Sequence, residues 1–406
     1  MADFARSAHP GVQAQLDRLT MLSPTGDRLG LKRISELLDR LGRPQDQLPP
    51  VLHVAGTNGK GSTVAFLRAA LEASGYKVHV FTSPHLVRFN ERIRIAGRLI
   101  DDEPLAARLA ETLDASAGIE PSFFEVATAV AILAFARTAA DVCILEVGLG
   151  GRLDATNVVE RPLVTAITGL ALDHQHFLGS DIVSIAREKA GIAKAGVPLV
   201  SLAQLPEAEA AIAQVAAGRG AKLLIEGRDW VVEPGLEPSL AGPHQRRNAA
   251  LAWAMLSVQE TLKVERATFL HAITTAQWPA RFQELRDGPL TAGRATWVDG
   301  AHNPAAAAAL ADILAHQGAM HIVLGILANK DADAIVGALA PHALSLTFVP
   351  VSDHDHHDPA MLATRFGGRS ADSLDEALAN LPEPRLIAGS LYLAGEVLAA
   401  NDQAPD

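Results

Sequence analysis

Along most of this chain, short near-continuous apolar runs alternate with longer stretches whose apolar positions recur at helical spacing. VLHVAG (51–56), KVHVF (77–81), DVCILEVG (141–148) and LVTAIT (163–168) are the clearest runs and are rich in β-branched residues. Such runs predict strands covered on both faces. Between them STVAFLRAALEASG (62–75), PLAARLAETLDASAG (104–118) and FEVATAVAILAFARTAA (124–140) predict helices, the last with an apolar stripe at helical spacing. Strand–helix–strand alternation predicts an α/β fold with a largely parallel sheet.

The alternation pauses after 278–283. ELRDGPLTAGR (284–294) is polar and carries Gly and Pro, which reads as a linker. Beyond it ATWVDG, MHIVLGIL and LSLTFVPV predict strands, with PAAAAALADILAHQG and DADAIVGALAP as helices between them. SLDEALANL, RLIAG and LYLAGEVLAAN complete a second, smaller α/β unit. The expected organisation is a large domain over 1–284, a linker over 285–294 and a small Rossmann-like α/β domain over 295–406.

Composition narrows the function classes. The 406 residues are 49% apolar and 20% charged, a globular balance that rules out global disorder. A net charge of −11 is a poor match to general nucleic-acid binding, which needs a basic face. Anionic small ligands remain open, because a local loop decides their binding. The single cysteine, Cys143, excludes an internal disulfide framework and a multi-cysteine zinc site, and it reads as a buried small hydrophobe. The N-terminal MADFARSAHP has no apolar signal region, and runs such as 126–136 are too short to span a bilayer. A cytoplasmic chain with neither nucleic acid nor membrane as partner is expected.

HVAGTNGKGST (53–63) falls between a predicted strand and a predicted helix. Its glycines let backbone N–H groups approach phosphate oxygens, and the helix places its positive end there. Lys60 supplies a point charge, and Ser62 or Thr63 a hydroxyl for a metal or phosphate. The large domain is therefore expected to be a mainly parallel sheet of the P-loop NTPase kind. The spacing departs from the general pattern, since two residues separate Gly56 from Gly59 and Gly61 follows Lys60.

Other chemistry gathers at predicted strand ends. Glu146 is a carboxylate in an otherwise apolar strand, which calls for a partner or a metal, and magnesium suits a nucleotide site. Asp173, His174 and His176 follow the next strand, and SPHLVRFNERIRI (83–95) offers Ser83, Arg92 and Arg94. Lys189 on its own reads as a solvated helix lysine. DHDHHD (353–358) lacks ligand spacing and reads as a solvated loop.

Together GTNGKGST, SPHLVRFNERI, FFEVATA, LEVGLGGRLDATN, LDHQHFLG, AREKAGI, RRNAALA, WPARFQ, VDGAHNPAA and GSLYLAGE resemble, in order, the folylpolyglutamate synthase/dihydrofolate synthase family within the Mur-type ATP-dependent amide ligases. The resemblance spans most of the chain. It implies a ligase that joins L-glutamate to dihydropteroate and to reduced folates (tetrahydrofolates) through an acyl phosphate made from ATP. It implies ATP contacts from Thr57, Asn58, Gly59, Lys60, Gly61, Ser62, Asn248, Arg281 and Asp299. Ser83, Glu146 and His174 would ligate two magnesium ions, and Lys189 would be carbamylated near them. Phe123, Phe124, Glu125 and Asp154 would line the pterin site. Lys60, Lys189 and His302 would be catalytic, with Asp299 and His302 brought to the cleft as the small domain closes. A monomer is the family-based expectation. NKDAD (329–333) departs from the DKD of many relatives, and two arginines precede Asn248. Whether both synthase activities are present, or only chain extension, stays open. Another Mur-type ligase and a non-catalytic nucleotide-binding protein are the alternatives. The FFE and LDATN segments and the intact Lys60, Glu146, His174 and Lys189 argue against them.

Overall fold

The computed structural model describes residues 5–22 and 29–406; the first four residues of the N-terminal stretch read above lie outside them. The chain forms two compact units. The first contains the described residues up to 239 together with 245–276, and the second contains 240–244 and 277–405.

In the first unit eight strands form one sheet: β1 (Val51–Ala55), β2 (Val78–Phe81), β3 (Ile93–Ile95), β4 (Arg98–Leu99), β5 (Val142–Glu146), β6 (Val164–Ile167), β7 (Pro198–Ser201) and β8 (Lys222–Ile225), in the order β4-β3-β2-β5-β1-β6-β7-β8. All pairings from β2 across to β8 are parallel; β3 and β4 add an antiparallel edge. The four strands expected from their apolar runs are thus the sheet's centre, and β1, β2 and β5 are buried at every position. Helices Pro10–Leu22, Asp102–Ala115 and Phe123–Ala136 pack with Phe81, Phe89, Cys143 and Leu145 in one core. A second core is built largely from alanines of Ile182–Ala190 and Pro206–Arg219, whose small side chains let helices and sheet approach closely. Register sets the functional end: Val54 lies opposite Glu146, Ala55 opposite Ile167 and Phe81 opposite Leu145. The loops after β1, β2, β5 and β6 therefore leave from neighbouring carboxyl ends, where ligands of open α/β sheets bind.

The second unit carries β9 (Gln283–Glu284), β10 (Thr296–Val298), β11 (Met320–Leu324), β12 (Ala343–Phe348), β13 (Arg369–Ser370) and β14 (Arg385–Ala388), in the order β13-β12-β11-β14-β10-β9. Only the β9–β10 pair is antiparallel.

The segment expected to be a linker, 285–294, is instead part of this unit. Glu284 already pairs with Trp297, and Leu285, Leu290 and Thr291 are buried. The Asn401 amide fastens the turn, accepting from the backbone N–H groups of Leu290 and Thr291 and donating to the Arg286 carbonyl. The boundary accordingly falls near 277 and not at 284. A polar, Gly/Pro-bearing stretch signals a turn, but only a distant partner decides whether that turn is docked. Among the described residues no helix is long and apolar enough to cross a membrane.

Candidate active site

The phosphate loop joins β1 to helix Lys60–Ala73. Gly59 has φ +91, and a Cβ there would stand 2.5 Å from Asn248 Oδ1, so position 59 admits only glycine. Asn248, itself held by Gln245 Oε1 at 3.1 Å, is thereby placed against the loop. The first N–H groups of the helix, from Lys60 to Ser62, have no intrahelical acceptor and form the anion-binding end. Ser62 Oγ and Thr63 Oγ1 are buried with no hydrogen-bond partner, so hydroxyls that a phosphate or cation could satisfy stand in the first turn.

Thr57 and Asn58, expected among the ATP contacts, use their backbone to dock the loop. Both backbone N–H groups donate to the Gly169 carbonyl, at 3.0 and 3.1 Å, and Thr57 Oγ1 donates to Ala171 O. Thr168 Oγ1 in turn donates to Asn58 O at 2.7 Å. These residues dock the loop onto the chain leaving β6. Thr168 was not singled out from sequence; its position directly after a strand, at the head of TGL (168–170), was the available signal.

Two lysines meet at one carbonyl. Lys60 Nζ donates to Gly56 O at 3.1 Å and to Thr57 O at 3.2 Å, and Lys189 Nζ donates to Gly56 O at 2.9 Å. Lys189 is not the solvated helix lysine its local sequence suggests: it is 5% exposed. Burial first, and then the neighbouring Lys60 ammonium, push its amine down to about 7, against the opposing charges of Asp173 and Asp154. Residues from three other motifs thus surround Lys189.

Glu146 ends β5 with its carboxylate buried, and the Ser83 backbone N–H donates to it at 3.3 Å. Two of the three residues expected to hold metal are therefore adjacent. His174 lies on an exposed turn with φ +51, its backbone N–H capped by Asp173. Carboxylate and hydroxyl oxygens beside a phosphate cradle are the hard donor set that magnesium prefers, so the residues present fit that ion.

The FFE segment divides along its helix. Successive helical residues point about 100° apart, so the two phenylalanines cannot share a face. Phe123 turns into the core, edge-on to Phe89 at 5.9 Å and 5.4 Å from the Arg92 guanidinium; its expected place in the substrate site is not where the structure puts it. Phe124 stays half-buried, tilted on Phe81 at 5.8 Å. Its ring occupies the space a side chain at Gly148 would need, with a Cβ there 2.3 Å away. Glu125 caps the helix: its carboxylate accepts from Ser122 N at 2.7 Å while Ser122 Oγ accepts from Glu125 N, and Arg33 pairs with it at 3.0 Å. Arg33 was missed from sequence, because nothing local links it to a residue ninety positions on. Asp154 is buried, and burial raises its carboxyl against the hydrogen bonds it receives from Leu149 N and from Thr156 N and Oγ1.

In the second unit Arg281, Asp299 and His302 gather at the carboxyl end of β10. Ala280 and Phe282, on either side of Arg281, both have positive φ (55 and 45), a strained arrangement for non-glycine residues. Asp299 accepts from Phe282 N and Ala301 N, each at 2.7 Å; burial raises its carboxyl and the Arg281 charge opposes this. Arg281 also lies against Gly300, and His302 Nδ1 sits 2.8 Å from Gly300 O, which fixes the Nδ1–H tautomer. The 353–358 histidines face their own neighbourhood: His354 Nδ1 bonds Ser352 O and its ring stacks on Tyr392, while His357 Nε2 bonds Lys330 O.

A phosphate cradle at the switch point of one parallel sheet, followed by a second α/β unit, is the plan of the Mur-type amide ligases. Residues 280–391 match the family model of the Mur ligase glutamate ligase domain. The chain is 34% identical over 414 residues to the dihydrofolate synthase/folylpolyglutamate synthase of Bacillus subtilis (strain 168), covering 92% of this chain and 95% of the relative. It is 36% identical over 396 residues to that of Escherichia coli (strain K12), covering 92% of each. A solved structure of E. coli FolC in complex with DHPP and ADP matches with TM-score 0.87 at 33% identity, covering 98% of this chain and 99% of that chain. A bifunctional folylpolyglutamate synthase/dihydrofolate synthase with Mn, AMPPNP and L-glutamate bound matches with TM-score 0.86 at 33% identity, with the same coverage. The chain belongs to the dihydrofolate synthase/folylpolyglutamate synthase family of ATP-dependent ligases.

Proposed function

We propose that this chain couples ATP cleavage to amide formation between the carboxylate of a pteroyl acceptor and the amine of L-glutamate. Dihydropteroate would give dihydrofolate, and tetrahydrofolates would be extended to polyglutamates. The observation that carries this reading is the meeting of Lys60 and Lys189 on the Gly56 carbonyl, within a phosphate loop whose strand is in register with Glu146.

A carboxylate is a poor electrophile. Transfer of the γ-phosphoryl group of ATP to its oxygen gives an acyl phosphate and ADP. The glutamate nitrogen lone pair then attacks the acyl carbon, the carbon–oxygen bond to phosphate breaks, and the nitrogen loses a proton. No enzyme nucleophile is needed; the protein positions groups and offsets charge. The N–H groups from Lys60 to Ser62 and the Lys60 ammonium hold the phosphates, with Asn248 against the loop. Ser83, Glu146 and His174 would hold magnesium, with carbamylated Lys189 near it; the ion when bound would neutralise the phosphate oxygens. A lysine amine poised near 7 supports carbamylation, since carbon dioxide reacts only with the neutral form. Phe124 beside Gly148 offers an aromatic face to a pterin ring, and Arg281, Asp299 and His302 would serve the nucleotide chemistry.

The test is glutamate-dependent ADP formation with magnesium, comparing dihydropteroate with tetrahydrofolate. Turnover of both acceptors is expected. Tetrahydrofolate alone would restrict the chain to polyglutamate extension, and turnover of neither by folded, ADP-binding protein would overturn the reading. Lys60→Ala and Glu146→Ala are each expected to lower turnover about a hundredfold or more while the protein stays folded.

A further inference from the structure

We propose that His53 is a positioning residue for the acceptor: through Thr156 and Asp154 it holds the 148–157 turn in the shape that receives the pterin ring. This rests on the reading of that turn as part of the acceptor pocket.

His53 is fully buried at the centre of β1, between β5 and β6. Its Nε2 lies 2.8 Å from Thr156 Oγ1. The Thr156 hydroxyl has one proton and donates it to Asp154 Oδ1, a carboxylate that can only accept. Thr156 Oγ1 must therefore accept from His53, which fixes the neutral Nε2–H tautomer. That leaves Nδ1 as a buried lone pair with no partner. An apolar side chain in the middle of a buried strand would avoid this unsatisfied acceptor. The imidazole compensates only through the bond it makes to Thr156.

That bond reaches the whole turn. Asp154 also accepts from Leu149 N at 2.8 Å and from Thr156 N at 3.0 Å, so one carboxylate ties both ends of the turn. Lys194 Nζ, whose charge acts on His53, fastens the far end by donating to Asn157 O at 3.1 Å. The turn begins at Gly148, against which Phe124 packs. The strand carrying His53 runs into the phosphate loop three residues later, at Gly56. His53 thus couples the acceptor turn to the same strand that places the phosphates, and phosphoryl transfer depends on that relative placement.

The experiment compares Thr156→Val and Thr156→Ala, which delete the hydroxyl, with Thr156→Ser, which keeps it, in the full-length chain. Two deletion variants are used so that a failure of one to fold still leaves a result. KM for the acceptor is expected to rise about tenfold in the deletions and to return in Thr156→Ser, with ADP affinity within about twofold throughout. His53→Leu should give the same split, and adding it to Thr156→Val should add little. Acceptor KM unchanged in the deletions, with wild type active, would overturn this proposal alone. A parallel loss of ADP affinity would also overturn it, because that marks a merely structural role. A wild type that turns over no acceptor would overturn the functional reading and this proposal with it.

Discussion

Lys189 shows how far a single residue departs from its local sequence. AREKAGIAK looks like a solvated helix end, yet the amine is enclosed beside Lys60 and sits near 7. At neutral pH about half of such amines are neutral, against about one in three thousand for an ordinary lysine. Incorporation of isotopically labelled bicarbonate into the protein is therefore expected to rise as pH increases through 7 and to vanish in Lys189→Met. The same shift has a stability consequence. The folded-state pKa lies below the unfolded one, so the unfolded chain binds more protons between about 7 and 10.5, and stability rises with pH across that window. Below 7 the cost of the buried charge is fully present. Lys189→Met should accordingly melt higher than wild type near pH 6 while losing activity. A lower melting temperature would contradict the burial argument.

At the scale of elements, the start of helix Phe123–Ala136 joins stability to the site. Ser122 and Glu125 satisfy each other's backbone donors, and Arg33 reaches Glu125 from helix Lys32–Arg40. This geometry aims Phe123 inward and leaves Phe124 half-exposed beside Gly148. Ser122→Ala is expected to cost about 1 kcal/mol, the usual worth of such a cap. Glu125→Ala should cost about 2 kcal/mol, since it removes both the capping bond and an ion pair whose carboxylate is buried and whose arginine is partly exposed. Denaturant midpoints measure both, and a smaller loss for Glu125→Ala than for Ser122→Ala would refute the shared role. The helix and its apolar stripe were read from sequence, whereas the Ser122–Glu125 cap was not. Which phenylalanine turns into the core was not legible there either, because that depends on what lies across each helix face.

For the whole molecule the relevant charges include two imidazoles held far below the usual histidine range, His53 in the first unit and His244 in the second. Burial, and then the Lys194 charge, lower His53 to about 3; burial, and then Arg281, lower His244 to about 4. Both must stay neutral in the folded state, while the unfolded chain protonates them near 6.5. Stability is therefore lost as pH falls below 6.5, by about 1.4 kcal/mol per pH unit for the fully buried His53. At pH 5 that is about 2 kcal/mol, and His53→Gln should flatten the slope of unfolding free energy between pH 6.5 and 4. An unchanged slope would mean that other groups dominate acid unfolding. The strand and helix pattern, the phosphate loop, the acid at the end of β5 and the family were determined by the sequence alone, because apolar periodicity, glycine placement and long motifs are local properties of the chain. Tertiary structure alone decided that 285–294 is docked and not a linker, that Thr57 and Asn58 bond Gly169, that Lys189 is buried, and that His53 bonds Thr156. Each of these depends on a partner far away in sequence, and burial and hydrogen-bond partners are set only when the strands fall into register.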